Sequence, residues 1–312
     1  MERGTRRGSV LALVLTAALA GCGEQTTASR EDAAAPEVPA ASPTAMLPAD
    51  GPVRAVATVL DDGDGPELCL GGVAMSLPPQ CSGPSVAGWE WDAHPDHESA
   101  GGVRWGEYTM TGAWDGTTFT PTDVRASEPG DVPSEDVGAL FASRCAEPEG
   151  GWVPVDPATT TDQALSAAHR VAEKLPGYAI SWHDQTINPM WEASQRLDGG
   201  EGSLEVELAM NDPRYTVLNV GVTDDVAAAE AAVREVWGGP LCVSDFANTE
   251  ARLREVSEDV ADLPGLLTRG YGSISNTVEV GVVLDDGSIQ AWADEEYGEG
   301  VVTVTSALVP AE

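Results

Sequence analysis

The first half of the chain, from about residue 52 to 128, has the hydrophobic pattern of short β-strands. Apolar positions alternate with polar ones or run together briefly, and clusters of Gly, Pro and Asp separate them. This pattern predicts strands at residues 53–60, 67–70, 86–91, 103–113 and 117–122. The Asp115-Gly116 pair between the last two strands is typical of a tight hairpin turn. Short strands at this density predict a small all-β barrel or sandwich, and we favour an OB-like barrel.

Helical and strand patterns alternate in the second half, from residue 158 to 312. Apolar residues recur at helical spacing behind capping residues, of which the Thr160–Gln163 capping box is the clearest. The predicted helices cover residues 162–175, 225–237, 249–263 and 288–297. The predicted strands cover residues 178–184, 190–196, 204–210, 215–222, 241–244, 267–273, 277–284 and 301–308. Residues 129–157 are rich in Gly and Pro, which predicts a linker with one short helix after Ser134.

Two segments of the second half share one order of elements. Residues 220–242 run from a Val-Gly-Val strand through an Asp-capped helix and a Trp-Gly stop to another strand, and residues 280–304 repeat this order with Tyr-Gly. Such βαβ units have parallel strands. The predicted fold class is therefore α+β, with the N-terminal barrel followed by a domain of ferredoxin-like βαβ units. The alternative is a chance similarity, because Asp-capped helices that end at Gly are common.

Residues 1–21 have the pattern of a secretory signal peptide. Three arginines precede an apolar stretch that is too short to span a bilayer. The segment Leu19-Ala20-Gly21-Cys22 resembles the lipobox of bacterial lipoproteins, and the rest of the chain resembles secreted proteins of high-GC Gram-positive bacteria. The resemblance implies cleavage before Cys22, acylation of that cysteine by palmitate-type chains, and attachment to the outer face of the cell membrane. The alternative is an ordinary leader with a chance cysteine.

Residues 22–51 follow with Ala, Pro, Ser, Thr and Glu and few large apolar side chains. Such a segment buries too little surface to offset its ordering entropy, so we expect a disordered tether behind the lipidated cysteine. No later stretch reaches the length of apolar residues that a transmembrane helix needs.

The charge is strongly acidic, with 51 Asp and Glu residues against 16 Lys and Arg residues and a net charge of -35. A field of this sign repels phosphate backbones, which argues against nucleic acid as a partner. It permits a cationic or cell-wall ligand, while simple solubility explains the charge equally well.

Four cysteines remain besides Cys22, an even number that suits disulfides in an oxidising compartment. They allow three pairings. We favour Cys69–Cys81, because both lie in one short Gly- and Pro-rich segment, and this leaves Cys145–Cys242. None of the four has the close spacing of a zinc site.

Aromatic residues crowd the predicted barrel, namely Trp89, Trp91, Trp105, Tyr108 and Trp114. They predict either a stacking platform for sugars or peptides or an ordinary hydrophobic core, and the core is the usual use of aromatics in a small β-domain.

The densest set of metal-ligating side chains is His94, Asp96, His97 and Glu98. These residues suit zinc or copper if the loop curls, but a proline and the lack of helical spacing favour an exposed polar loop. His183 beside Asp184 is a candidate acid–base pair, although neighbours on a strand point to opposite faces. His169 lies among alanines on a predicted helix.

No nucleophile elbow, zinc-protease motif, phosphate-binding loop or dinucleotide fingerprint occurs in the chain. We therefore expect no catalytic residues and no cofactor. The leading hypothesis is a lipid-anchored extracytoplasmic protein with a non-enzymatic binding or structural role. The alternative is a metal-dependent or hydrolytic cell-envelope enzyme that uses the His94–Glu98 loop or His183.

Overall fold

The chain is described by a computed structural model for residues 42–132, 140–196, 203–272 and 274–311. The predicted signal peptide, the lipobox cysteine and most of the predicted tether lie outside the described residues, as does the start of the helix expected after Ser134. Within the described ranges no helix is both long enough and apolar enough to cross a bilayer.

A closed five-stranded β-barrel forms the first part of the fold. The six strands of this region are β1 (Val53–Asp61), β2 (Glu67–Cys69), β3 (Ser85–Val86), β4 (Glu98–Ala100), β5 (Val103–Trp114) and β6 (Thr118–Ala126). The order β1–β2–β3–β6–β5 closes when β5 pairs with β1, and β4 lies outside the ring on β5. The pairing of β3 with β6 is parallel, and the other pairings of the ring are antiparallel. The prediction of a barrel is confirmed.

One predicted strand of the barrel, residues 86–91, is wrong over most of its length. Only Ser85–Val86 pairs as a strand, and Trp91–Ala93 forms a turn of 3₁₀-helix. The Trp91 indole N–H donates to the Asp61 carboxylate at 3.0 Å, so the side chain turns inward to a buried acceptor. This hydrogen bond places the Trp91 indole inside the barrel and stabilises the 3₁₀ turn in place of the predicted strand.

The second part of the fold consists of two three-stranded sheets with helices. The first set is α1 (Asp162–Ala172), β7 (Tyr178–Asp184), α2 (Trp191–Ser194), α3 (Ser203–Met210), β8 (Val217–Val222), α4 (Val226–Arg234) and β9 (Leu241–Asp245). The second set is α5 (Glu250–Asp259), β10 (Leu266–Gly270), β11 (Val278–Val282), α6 (Ser288–Tyr297) and β12 (Val302–Ser306). In each sheet the first pairing is antiparallel and the second is parallel. Both predicted strand–helix–strand segments therefore have parallel strands.

Each sheet buries one face against its own helices. Ala168 and Ala172 of α1 and Val233 of α4 pack on Leu218 and Val220 of β8. In the second set, the three valines at alternate positions of β11 pack against buried residues of α5 and α6, namely Val278, Val280 and Val282 against Leu253, Val256, Ile289 and Trp292. The strand period of two therefore leaves the other side chains of β11 on the opposite face of the sheet.

Two predicted strands, residues 190–196 and 204–210, are wrong, because these residues form α2 and α3. In α3, Leu and Val alternate with Glu, which imitates a half-buried strand, but Leu204 and Leu208 are exposed. Leu, Glu, Ala and Met are strong helix formers. The Asn188 side-chain amide donates to the Ala209 carbonyl at 3.0 Å and Gln185 donates to the Met210 carbonyl at 2.8 Å, so the free carbonyls of this helix end are satisfied.

The tether predicted over residues 22–51 is ordered at its C-terminal end. The Trp114 indole N–H donates to the Leu47 carbonyl at 3.0 Å, and the Ala49 N–H donates to the Trp114 carbonyl at 3.0 Å. The expectation of disorder is therefore wrong for residues 42–51, where backbone hydrogen bonds compensate for the scarce apolar surface. At the other end of the chain, β13 (Val309–Pro310) returns to pair with β1.

Both disulfides form in the favoured pairing. Cys69 is bonded to Cys81 and Cys145 to Cys242, with Cα–Cα distances of 5.8 and 5.7 Å. The second bond ties residues that are 97 positions apart, so it fixes the segment before α1 on strand β9. Two disulfides are consistent with an oxidising, extracytoplasmic environment.

The repeated glycines of the two sheets give a test of the packing. A Cβ at Gly221 would lie 2.6 Å from the Phe246 ring and 3.0 Å from Ile180, whereas a Cβ at Gly281 would meet chiefly the Thr268 hydroxyl, which can rotate away. Overpacking a rigid ring costs about 1–3 kcal/mol. We therefore expect Gly221→Ala to lower the free energy of unfolding by that amount and Gly281→Ala to change it by less than about 1 kcal/mol. Urea denaturation of the two variants measures this difference, and equal losses would contradict the packing described.

Candidate functional site

A cleft of about 880 Å³ lies between β7 and the second sheet. Its lining comes from three places: strand β7 together with strands β10, β11 and β12 of the second sheet, the loop before β11, and residues 140–141. The lining side chains used below are Phe141, Trp182, Thr268, Ser275, Thr277, Glu279, Thr303 and Thr305. A cavity of this volume is within the range of small-molecule binding sites.

Strand alternation explains the polar wall of the cleft. Val280 of β11 faces the helices, so Glu279 and Gly281 face the other way. On β12, Val302 is buried with the helices, and Thr303 and Thr305 are exposed beside the cleft. The Glu279 carboxylate accepts a hydrogen bond from the Ser275 hydroxyl at 2.9 Å. This wall therefore presents hydroxyl groups around one carboxylate.

The aromatic side of the cleft is held by the segment that carries the second disulfide. The Trp182 indole N–H donates to the Phe141 carbonyl at 3.1 Å. The Ser143 N–H donates to the Asp184 carboxylate at 2.7 Å, and Arg144 stacks on the Phe246 ring at 4.1 Å. With Cys145 bonded to Cys242, these contacts fix residues 141–145 on the face of the first sheet that its own helices do not cover.

A pair of histidines forms a second polar cluster, on the helix side of β7. His169 in the last turn of α1 and His183 on β7 bring their Nε2 atoms to 2.7 Å, so one ring carries the proton that the other accepts. The other nitrogen of His169, Nδ1, lies 2.9 Å from the Ser181 hydroxyl, and the Tyr178 hydroxyl lies 3.0 Å from the same oxygen. A continuous chain of hydrogen-bonding groups therefore runs from Tyr178 to His183.

The environment of this pair favours neutral rings. Desolvation, followed by the charge of His169, lowers the pKa of His183 to about 4, although much of the His183 side chain reaches solvent. Desolvation also lowers the pKa of His169, and the Glu173 carboxylate partly opposes that shift. Burial raises the pKa of the Tyr178 hydroxyl.

The predicted couple of His183 with Asp184 does not form. Asp184 is buried on the opposite side of β7, where its carboxylate accepts from the Ser143 N–H and from the Thr186 hydroxyl at 2.5 Å. The alternation of a strand separates the two side chains. His183 instead meets His169, which lies 14 residues earlier.

The loop from His94 to Glu98 shows ring packing rather than convergent ligands. His94 stacks on Trp89 with ring centroids 4.2 Å apart, and His97 packs against Trp91 at 4.9 Å. Among the described residues, which include the whole loop, no group of three or more His, Cys, Asp and Glu side chains is placed to hold a metal ion. His94, Asp96, His97 and Glu98 are therefore not brought together as the metal hypothesis requires.

The aromatics of the barrel form its core. Trp91, Tyr108 and Trp114 expose 6%, 2% and 2% of their surface and belong to one buried cluster, against which Trp89 packs. Trp105 is buried in a neighbouring cluster with Leu60. The interpretation as a core is confirmed for these residues, and the stacking platform is not present.

The histidine pair is the feature that sequence reasoning missed. The signal was present: Ser181 and His183 lie two apart on β7 and share a face. The buried Ala168 and Ala172 fix which side of α1 meets the sheet, and the chain turns at Gly177 directly into β7. A helix followed by an adjacent strand brings His169 to that face. We did not infer from the sequence that α1 packs beside β7 across the turn that joins them.

No protein-family profile, curated protein or solved structure matches the chain. The function is therefore inferred from the arrangement of the residues themselves.

The lowered pKa of His183 predicts that the stability of the protein depends on pH. The protein is treated with a chelator first, so that no metal ion competes with protons for the ring. The unfolded chain takes up a proton near the ordinary pKa of 6.5, whereas the folded chain does so only near 4. The stabilising contribution is therefore complete above pH 6.5 and is lost as the pH falls toward 4.

We expect the free energy of unfolding of His183→Gln to fall less steeply than that of the parent over this window, as measured by urea denaturation at successive pH values. The titrating carboxylates are common to both proteins, so the difference between the two curves reports the titration of the histidine pair. Parallel curves would contradict the assignment.

Proposed function

We propose that this chain is a lipid-anchored, extracytoplasmic binding protein without enzymatic activity, and that its cleft holds an uncharged, hydroxyl-rich ligand, a glycan of the cell envelope. The observation that carries the proposal is the lining of the cleft. Its described residues combine Ser and Thr hydroxyl groups, two aromatic side chains and one carboxylate with aliphatic side chains, and they include no Lys or Arg; the aliphatic residues are Leu140, Ile180, Ile274 and Val280.

The chemistry of a glycan matches this lining. Sugar hydroxyls exchange hydrogen bonds with Thr and Ser hydroxyls and donate strongly to a carboxylate such as Glu279. Apolar C–H faces of a sugar pack on aromatic rings. Phe141, which exposes 45% of its surface, supplies such a ring, whereas Trp182 exposes only 6% and forms part of the cleft wall. The absence of basic side chains from the described lining argues against an anionic ligand, as does the net charge of -35.

The proposed location rests on two independent features. The segment Leu19-Ala20-Gly21-Cys22 resembles a lipobox, and the two disulfides require an oxidising compartment to persist. Acyl chains on Cys22 would hold the protein at the outer face of the membrane, because two or more chains give stable anchoring where one does not. Residues 23–41 lie in sequence between the lipidated cysteine and residue 42, the first that the structure describes.

The finer fold assignment belongs to the same proposal. We regard the barrel as OB-like, supported by its ring order and by the single parallel pairing between β3 and β6. We regard the second part as two related ferredoxin-like units. The support is the shared pattern of pairing and the order helix, strand, strand, helix and strand, into which the first unit inserts α2 and α3 between its first two strands.

A glycan array tests the binding proposal. The full chain, released in detergent, is applied to an array of neutral cell-envelope oligosaccharides. Thr303→Trp fills the cleft from the exposed strand β12, and Thr120→Trp places the same side chain on an exposed position of the barrel. We expect the parent and Thr120→Trp to bind the same glycans and Thr303→Trp to lose at least tenfold in apparent affinity.

Two results would overturn the cleft proposal. One is a parent protein that binds no neutral glycan on the array. The other is a Thr303→Trp variant that folds with an unchanged urea midpoint and binds as the parent does.

The anchor is tested separately by fractionation and mass spectrometry. We expect the native N-terminal peptide to start at Cys22 with a diacylglycerol thioether, and Cys22→Ser to move the protein from the membrane fraction to the soluble fraction or to leave it unprocessed. A bare thiol at Cys22 in membrane-bound protein would refute the anchor and leave the cleft proposal intact.

A further inference from the structure

We propose that His169 and His183 form a binding site for Cu²⁺, in which the two Nε2 atoms occupy adjacent positions of a square-planar ion and water or an external donor completes the coordination. The two rings lie on the helix side of β7 and do not line the proposed glycan cleft, although Ser181 of β7 borders both sites. Its starting observation is the contact of the two Nε2 atoms at 2.7 Å.

The separation of the two nitrogens favours one geometry. With a metal–nitrogen bond of about 2 Å, adjacent ligands of a square-planar ion lie about 2.8 Å apart, whereas two ligands of a tetrahedral ion lie about 3.3 Å apart. The observed 2.7 Å is close to the first value, so binding requires the two rings to turn their lone pairs toward one ion but not to move the nitrogens apart. Square-planar sites with nitrogen and oxygen ligands are typical of Cu²⁺, which also binds such ligands most tightly among the divalent ions of its row.

The surroundings of His169 resemble the support that metal-binding histidines receive. Its Nδ1 lies 2.9 Å from the Ser181 hydroxyl, which is itself 3.0 Å from the Tyr178 hydroxyl. When Nδ1–H donates to Ser181, the lone pair of Nε2 is free to bind an ion. A hydrogen bond of this kind fixes both the tautomer and the orientation of the ring.

Rigid elements hold the two rings in place. The neighbouring Ala168 and Ala172 are fully buried against the first sheet, and β7 is paired with β8 along the strand. Binding needs one proton rearrangement: the proton shared by the two Nε2 atoms moves to the Nδ1 of His183 through solvent. Both rings remain neutral, so no net proton is released.

The protein supplies only two of the ligands that the ion needs. Among the described residues no third His, Cys, Asp or Glu side chain joins the pair to form a ligand group. Glu173 lies within electrostatic range of His169 and attracts a cation. The remaining positions are therefore open to water or to an exogenous ligand, which suits reversible capture of copper rather than a permanent structural site.

The experiment uses the small number of histidines in the chain, which is four. The full chain is titrated with CuSO₄ by calorimetry in the presence of free glycine, which suppresses binding to scattered carboxylates. The variants are His169→Gln/His183→Gln and, as the matched control, His94→Gln/His97→Gln. Electron paramagnetic resonance of the copper-loaded protein reports the number of nitrogen ligands.

We expect one Cu²⁺ per chain, an axial spectrum with hyperfine splitting from two nitrogens, and unchanged binding in the control pair. The His169→Gln/His183→Gln variant should lose the splitting and at least tenfold in affinity. Ser181→Ala keeps both rings and should weaken binding by about 10-fold with the splitting retained, since partners of this kind contribute about 10–100-fold. If the double variant fails to fold, Ser181→Ala still tests the site.

Several outcomes would overturn the site: no saturable copper binding above the competition of glycine, binding that survives in His169→Gln/His183→Gln, or binding that is lost in His94→Gln/His97→Gln. A spectrum of the copper-loaded parent that lacks hyperfine splitting from nitrogen would also overturn the site.

Discussion

The arrangement of the second part depends on one constraint: each three-stranded sheet buries only one face under its own helices. On β11 this places Val278, Val280 and Val282 inside and leaves Glu279 and Gly281 outside. On β7 the same alternation sends Ser181 and His183 toward α1, and sends Trp182 and Asp184 to the opposite face, where they are buried beside residues 141–145. The cleft and the histidine pair are therefore consequences of one periodicity on opposite sides of one strand.

A short segment, residues 141–145, covers the face of the first sheet that lies opposite its own helices. The bond between Cys145 and Cys242, the stacking of Arg144 on Phe246 and the hydrogen bond from Ser143 to Asp184 hold one short segment over the first sheet. A disulfide that closes a loop of 97 positions restricts the unfolded chain strongly. Such a covalent support suits a protein that leaves part of a sheet face available to a ligand.

Elements with a strong local signal could be predicted from the sequence. The α6 helix spans Ser288–Tyr297 and β7 spans Tyr178–Asp184, each as expected, because turn residues bound them on both sides. The start of α1 shows the limit of such signals: the Thr161 hydroxyl accepts from the Ala164 N–H, while the Thr160 hydroxyl donates to the Asp156 carbonyl. Two adjacent threonines present the same pattern, and the preceding turn at Asp156, which engages the Thr160 hydroxyl, leaves Thr161 as the cap.

The misassigned elements depended on partners distant in sequence. The alternating Leu and Glu of α3 match a strand by period, and contacts from Asn188 and Gln185 favour the helix instead. The candidate site shows the same limit, because a search by local motif selected His94–Glu98, where four potential ligands lie within five residues. The pair of His169 and His183 arises from the packing of a helix on a strand, which no local window contains.

The central claim is that the open face of the second sheet, rather than the barrel, receives the ligand. The most direct test is to map amide chemical shifts of the isotope-labelled full chain during titration with a neutral cell-envelope oligosaccharide. The account predicts saturable shifts at Thr268, Glu279, Thr303 and Thr305 and at Trp182 across the cleft. Shifts confined to β1, β5 and β6 of the barrel would contradict it.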